Sequence, residues 1–557
     1  MTGRAAQQCH LPPAGFRGTY RADALSRAVY SEAAGVGRIV PVAIAVPRDA
    51  EDVMTLVRWA SASSLSIVPR GSGTSMSGGA IGPGVMVDLS GMDSIGEVDV
   101  AGRSVWVGPG ALRGKVNRAA TAGGLRFPVD PSSGEFCTIG GMVSTNAAGA
   151  HTLGFGAMRR WVLALDCVFD DGSRAVIERG RPAPAEIPAI QRFLSRESEL
   201  LSDDAAGATV HAGVAKNSSG YGVAAYAKSR ELVDLLVGSE GTLAVIVGVK
   251  LALTEAARAT SGVLGAFGNL DDAVKGAVGA REAGAVACEL LDRTFLDVAA
   301  GGGAHSPVAA LASVPPGTEA VLLAEVEGES EESAALAADE LARLFAGAGA
   351  SVTRVALGSQ DQHEIWELRH AASPILSRLD PALKSMQFIE DSAVPANCLA
   401  DYVRGVRAAL DARGVRGVIF GHAGDAHVHV NPLIDVSKLD WRADVDGLLD
   451  DIVALTARLG GTLSGEHGDG RLRTPLLSRV WSSKAIELFA LVKRAFDPRG
   501  ILNSGVKVPV GAQRPLGDIK YDPALAPLPA EARLVLDKIA DDSSYATPRL
   551  SLIPGAG

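Results

Sequence analysis

The sequence predicts an α+β fold in two large parts, on three observations. Residues 38–91 alternate strand and helix signals, a strand–turn rhythm then runs to about residue 253, and from about 256 Ala-rich amphipathic helices dominate, with strands between them. In the first part "RIVPVAIAVP" reads as a strand ending in a turn. "DAEDVMTLVRWASASS" follows, with Asp49 at an N-cap and Val53, Leu56, Val57 and Ala60 at helical spacing. "LSIVPRG" and "GVMVDLSGM" supply two more strands, "SVWVGPGALR" begins the next strand–helix unit, and "VLALDCVFDDGS" and "AVIVGVKLAL" close the part. In the second part "LDDAVKGAVGAREAG" and "EESAALAADELARLFAGAG" are helices, while "EAVLLAEVEG" and "GVRGVIFGHAG" are strands. The glycine-rich style returns at 461–511, and 512–557, rich in Pro and Asp, reads as a surface wrap or a partly ordered end. The expected boundaries are an arm at 1–37, a first domain at 38–255, a second at 256–460, the returning segment 461–511 and the tail 512–557.

Composition narrows the function. The 557 residues are 47% hydrophobic and 21% charged with a net charge of −10, which gives no global sign of nucleic-acid binding. The five cysteines, Cys9, Cys137, Cys167, Cys288 and Cys398, are scattered, which argues against a disulfide framework, a zinc ribbon or a cysteine-held iron–sulfur cluster. No apolar run has the length of a membrane span, and the first residues lack a signal-peptide core, so a cytoplasmic location is expected.

Three small-residue loops carry the first functional signal. "VPRGSGTSMSGGA" follows a strand directly, and its glycines let backbone N–H groups turn toward an anion while Ser72, Thr74, Ser75 and Ser77 add hydroxyls. A plain Gly/Ser turn is the competing reading of that loop alone, and neither the dinucleotide GxGxxG spacing nor a P-loop ending is present. "PVDPSSGEFCTIGGMVSTNAAG" and "VGSEGTLAVI" repeat the style, as expected where backbone approaches one long flat ligand from several sides. Together with "FDPRGILNSG" these stretches resemble the vanillyl-alcohol-oxidase / p-cresol-methylhydroxylase (PCMH) superfamily. Within it they resemble the branch of FAD-linked D-lactate, glycolate and D-2-hydroxyglutarate dehydrogenases.

That resemblance, over about 38–510, implies a PCMH-type FAD-binding domain of two α+β subdomains and an α+β substrate cap with an antiparallel sheet. It implies that Arg70, Gly71, Ser72, Gly73, Thr74 and Ser75 hold the FAD diphosphate, with Pro69 and Gly79 also at the cofactor. Pro131, Ser132, Thr138, Gly140, Gly141, Ser144, Asn146, Gly149, Glu240, Gly241 and Ile246 line the rest of the FAD site, and Asn503 closes it. Thr74 stands where some members carry a flavin-linking histidine, so the FAD is expected to be noncovalent.

A second signal combines two stretches. "VIFGHAGDAHVHVNPL" packs His422, His427 and His429 into eight residues, and on a strand 427 and 429 point the same way. These are either hydrogen-bonded histidines at a strand end or ligands of a divalent cation. "GTLSGEHGDGRLR" offers Glu466 as an anionic ligand, and His467 beside it as a base that titrates near working pH. The resemblance implies His422, His429 and Glu466 as ligands of a divalent metal, zinc or manganese, and His467 as the catalytic base. His427 departs from the family's usual Asn and is expected outside the coordination shell.

For the substrate's other end, Arg369, Ser373 and Lys384 repeat the Arg/hydroxyl/Lys spacing of D-2-hydroxyglutarate dehydrogenases, with Ser in place of Thr, and Asn431 matches a further substrate contact. A solvated helix face is the competing reading of the charged pair. Two cations favour a dicarboxylate, modestly. The implied activity is FAD-dependent, metal-assisted oxidation of a D-2-hydroxy acid to the 2-oxo acid. Because the sequence holds no iron–sulfur half, electrons are expected to pass to a separate acceptor: a flavoprotein, a quinone, a cytochrome or an iron–sulfur subunit. A homodimer with room for peripheral membrane contact is expected. The competing readings are an alkylglycerone-phosphate synthase-like FAD transferase and a non-catalytic flavoprotein subunit.

Overall fold

A computed structural model describes residues 11–300, 309–370 and 382–553; Ser373 lies outside them. The first half is built on two four-stranded sheets. One takes strands Ala43–Val46, Val85–Asp88 and Ile67–Arg70 in parallel, with Thr19–Arg21 antiparallel at the edge. Helix Ala50–Ser63 makes the crossover, capped by Asp49, whose carboxylate accepts from the Asp52 N–H at 3.1 Å. Its Val53, Leu56, Val57 and Ala60 are fully buried against Ala43, Ala45, Ile67 and Val85. The other sheet is antiparallel, ordered Ser104–Val107, Val245–Ala252, Val162–Val168, Arg174–Glu178. These are the two α+β subdomains expected of the first half.

The second half is built on an eight-stranded sheet in which every pairing is antiparallel. Its centre pairs Ala287–Asp292 with Arg416–His422, and Arg416–His422 with His427–Asp435. Alternation divides each strand between two faces. One face, with Leu290, Leu322, Val428 and Val430, packs under helices Leu270–Glu282, Glu331–Ala348, Leu399–Ala412 and Trp441–Arg458. The other, with Leu291, Leu323 and Val418, packs on Phe295, Ile365 and Leu368, and this face carries Glu289, His422, His427, His429 and Asn431.

The segment after Gly461 leaves the cap and runs between the halves before helix Ser483–Phe496 joins the core of the first half. The C-terminal tail folds back: helix Ala530–Asp542 packs Ala532, Val535 and Ile539 against Ala28, Val29 and Tyr30 of the arm. No described helix is long and apolar enough to cross a membrane.

Candidate active site

A cleft lies between the two four-stranded sheets of the first half and ends at Glu466 and His467. Seventeen of the twenty residues expected at the FAD line it: Pro69, Arg70, Gly71, Ser72, Gly73, Thr74, Ser75, Gly79, Pro131, Ser132, Thr138, Gly140, Gly141, Ser144, Glu240, Gly241 and Ile246. The loop fits a diphosphate on two counts. The backbone N–H groups of residues 71–76 donate to no acceptor among the described residues, which leaves a run of unpaired donors in a loop that lines the cleft. A Cβ on Gly71 would stand 2.1 Å from Thr138 Oγ1, so the loop backbone passes where no side chain fits.

Three expected residues lie outside the lining, and Arg70 turns its side chain away from it. Arg70 gives the cleft its backbone only; its guanidinium turns inward to the carbonyls of Glu32 (3.0 Å) and Ala80 (3.1 Å), and burial lowers its pKa to about 9. Asn503 is outside the lining, where its amide bridges the loops through Gly79 O (3.0 Å) and Glu240 O (2.8 Å). Asn146 also lies outside: its Oδ1 accepts the Arg159 N–H, and it lines a neighbouring cavity. Gly149 packs on the Asp130 backbone.

At the cleft's end His422 Nε2 and His429 Nε2 are 3.4 Å apart, and Glu466 Oε1 is 3.5 and 3.4 Å from them. A triangle with those edges matches one face of a coordination tetrahedron, whose donors stand about 2.0–2.1 Å from the ion. Both imidazoles are set for ligation through Nε2. His422 Nδ1 donates to Glu289 Oε1, and His429 Nδ1 donates to Glu390 O at 2.8 Å. The three residues therefore fit a divalent cation. Buried His427 belongs to the same cluster, but its Nε2 is held by Asp391 Oδ1 at 2.9 Å, and burial pulls its pKa to about 3.

His467 Nε2 stands 3.7 Å from the same Glu466 oxygen, while its Nδ1 donates to Glu390 Oε1 at 3.1 Å. Burial works against the charged ring, but the Asp391 and Glu390 carboxylates outweigh it and raise His467 to about 9. Glu390 is itself held by Arg473 at 2.5 Å. Asp391 takes hydrogen bonds from Ser464 Oγ and from the N–H groups of Glu466 and His467, while its own carbonyl accepts the Gly465 N–H. Burial pushes the Glu466 carboxyl up, yet Lys216 and His422 overcome it and hold it well below the usual carboxylate range. Lys216 Nζ is 2.8 Å from Glu466 Oε2.

Of the residues expected at the substrate, Asn431 is buried on the ligand face of its strand. Arg369 reaches the same face, pairing with Glu289 at 2.7 Å and lying over the Phe420 ring. Lys384 does not join them. The register sets it opposite Ile434, on the other face of the sheet, with its ammonium 5.7 Å from the Tyr521 ring.

Glu289, Glu390, Asp391 and Lys216 were not foreseen, although three of them leave a trace in the sequence. Glu289 is a lone charge in "AVACELL", and Glu390 and Asp391 are adjacent acids between apolar residues in "FIEDSAVP".

Residues 41–177 match the family model described as FAD binding domain, and residues 256–506 match the one described as FAD linked oxidases, C-terminal domain. The chain is 30% identical over 462 residues to a D-lactate dehydrogenase of Archaeoglobus fulgidus, covering 82% of this chain and 89% of that protein. It is 29% identical over 530 residues to a D-2-hydroxyglutarate dehydrogenase of Pseudomonas putida, covering 90% of this chain and 52% of that longer protein. Among solved structures, a 4-ethylphenol oxidase from Gulosibacter chungangensis superimposes with a TM-score of 0.64 at 13% identity, over 91% of this chain and 96% of that one. An alkyldihydroxyacetonephosphate synthase does so with a TM-score of 0.61 at 15% identity, over 90% and 86%; at these identities the likeness is one of fold. The chain belongs to the FAD-linked oxidase family of the PCMH superfamily.

Proposed function

We propose that the protein oxidises a D-2-hydroxy acid to the 2-oxo acid, using FAD in the cleft and a divalent cation, zinc or manganese, at His422, His429 and Glu466. The observation that carries this reading is the placement of His467 Nε2 beside the ligand triangle, 3.7 Å from Glu466 Oε1, where the flavin cleft ends. When bound, FAD would accept the electron pair from C2 and the cation would make the hydroxyl more acidic. With Nδ1 tied to Glu390, His467 takes the hydroxyl proton at Nε2 from its neutral form, which the carboxylates beside it disfavour below about pH 9 and a cation held at the triangle would favour. Asn431 and Arg369 orient the substrate carboxylate from the ligand face, and Arg369 does so while paired to Glu289. The electrons then leave for a separate acceptor.

The test is anaerobic bleaching of the bound flavin by D- and L-lactate, glycolate and D- and L-2-hydroxyglutarate, before and after chelation. Bleaching by D acids that is lost with the metal and restored by zinc or manganese is expected. A flavin that no 2-hydroxy acid bleaches would refute the reading and favour a transferase of the alkylglycerone-phosphate synthase type, which uses FAD without net redox change.

A further inference from the structure

A second cavity, open to solvent and separate from the flavin cleft, comes up against the chain beside Glu466 without being lined by the ligand triangle itself. Its inner wall includes Gly465, the chain neighbour of Glu466, and Lys216, whose ammonium is 2.8 Å from Glu466 Oε2 and whose side chain is 1% exposed. Its walls carry Arg159, Arg160, Arg179, Arg281 and Lys216 against the carboxylates of Asp234 and Asp425. Five cations facing two anions is a local positive excess in a chain of net charge −10.

The cations divide by depth. Arg159 and Arg179 are tied down: Arg159 donates to the carbonyls of Asp234 and Val237, and Arg179 pairs with Asp234 at 2.5 Å. Arg160 and Arg281 are exposed, and neither forms an ion pair among the described residues; Arg281 has one long bond, 3.4 Å, to Gly424 O. The free charges thus stand at the mouth and the buried one, Lys216, at the inner wall. A cleft lined by one sign of charge concentrates ions of the other sign and raises their association rate.

The geometry points to this cavity as the entry port for the anionic substrate. Arg160 and Arg281 draw a small carboxylate in, and Lys216 receives it beside the ligand triangle while the dinucleotide fills the other cleft. This inference rests on the proposed 2-hydroxy-acid chemistry.

The experiment is stopped-flow flavin reduction of FAD-loaded protein by an acid that bleaches the wild type, comparing R160E/R281E with R160K/R281K. At about 10 mM ionic strength, where charges act over roughly 30 Å, the reversal should lower the second-order rate constant by about tenfold or more. Its limiting rate at saturating substrate should hold, the deficit should shrink as salt rises toward about 0.5 M, and the lysine pair should stay within about twofold of wild type. If the reversed protein fails to hold FAD, R160Q and R281Q carry the test, each expected about threefold slow at low salt. A reversal, or neutral pair, within twofold of wild type would overturn the port. So would a deficit that salt leaves unchanged, or an equal loss with lysine. A wild-type flavin bleached by no 2-hydroxy acid would instead remove the parent chemistry, and the port with it.

Discussion

Glu289→Gln probes the candidate metal centre at a residue that neither ligates nor touches substrate. Glu289 is fully buried, receives His422 Nδ1–H on one oxygen and holds Arg369 at 2.7 Å on the other. Burial alone would raise its pKa, but His422 and Arg369 bring it well below the usual carboxylate range, so it is a fixed negative charge at neutral pH. One imidazole and one coordination bond, roughly 6 Å, separate that charge from the cation's place. At an effective dielectric of about 20, a unit charge facing a divalent ion at that distance is worth about 5.5 kcal/mol. Arg369 offsets most of this, since its own charge repels the same ion. Glutamine still accepts from Nδ1, so His422 keeps its tautomer, while the charge and the acceptor for Arg369 are lost. The expected result is 10- to 100-fold weaker metal binding, about 1.4–2.7 kcal/mol. Titrating metal-free protein with zinc against a competing chelator measures it, with flavin content as the control for folding. An affinity within threefold of wild type would show that Glu289 does not support a metal ligand, and the assignment of His422 would fall with it.

His467→Ala should keep its yellow FAD yet lose turnover by about 10²–10⁴-fold; near-normal turnover removes it as the base. Glu466→Gln should lower metal content and activity together, and unchanged metal stoichiometry would refute its role as a ligand. His151 bridges the halves, pairing with Asp130 at 2.5 Å and Glu325 at 2.9 Å. Burial opposes its charge, but the two carboxylates lift it to about 11. A raised folded-state pKa gives stability that is full below the unfolded value near 6.5 and is lost as pH rises through about 11. His151→Gln should therefore melt well below wild type at pH 7, and the gap should close toward pH 11; a gap that does not change with pH would refute the assignment.

The parts of the fold and site that were legible in the sequence were those set by local chemistry. Asp49 caps its helix because an N-cap needs only its own neighbours. Strand alternation alone put His427 and His429 on one face, while three small-residue loops taken together, with the family resemblance they carry, marked the flavin cleft. What stayed hidden depends on partners distant in sequence. Arg70 reads as a diphosphate ligand until the arm brings the carbonyls of Tyr30 and Glu32 to it. The direction of Lys384 follows from a register that pairs it with Ile434, which spacing from Arg369 could not supply. Glu289 stands out as a charge in an apolar strand, but its role requires knowing that the strand pairs with His422.

The stretch 464–467 has its backbone divided between two owners. Its N–H groups from Gly465 to His467 go to Asp391 of the cap, while the carbonyls of Ser464 and Gly465 go to Ser218, and that of His467 to Ser77, of the flavin half. Neither half shapes it alone, so the candidate site is not a transplantable module. A chimera that exchanges caps between relatives to alter specificity would need both linings to travel with the insert: the segment 390–393 on one side, and the loops bearing Ser77 and Ser218 on the other. A graft cut at the apparent domain border would leave the Glu466–His467 stretch braced from one side only.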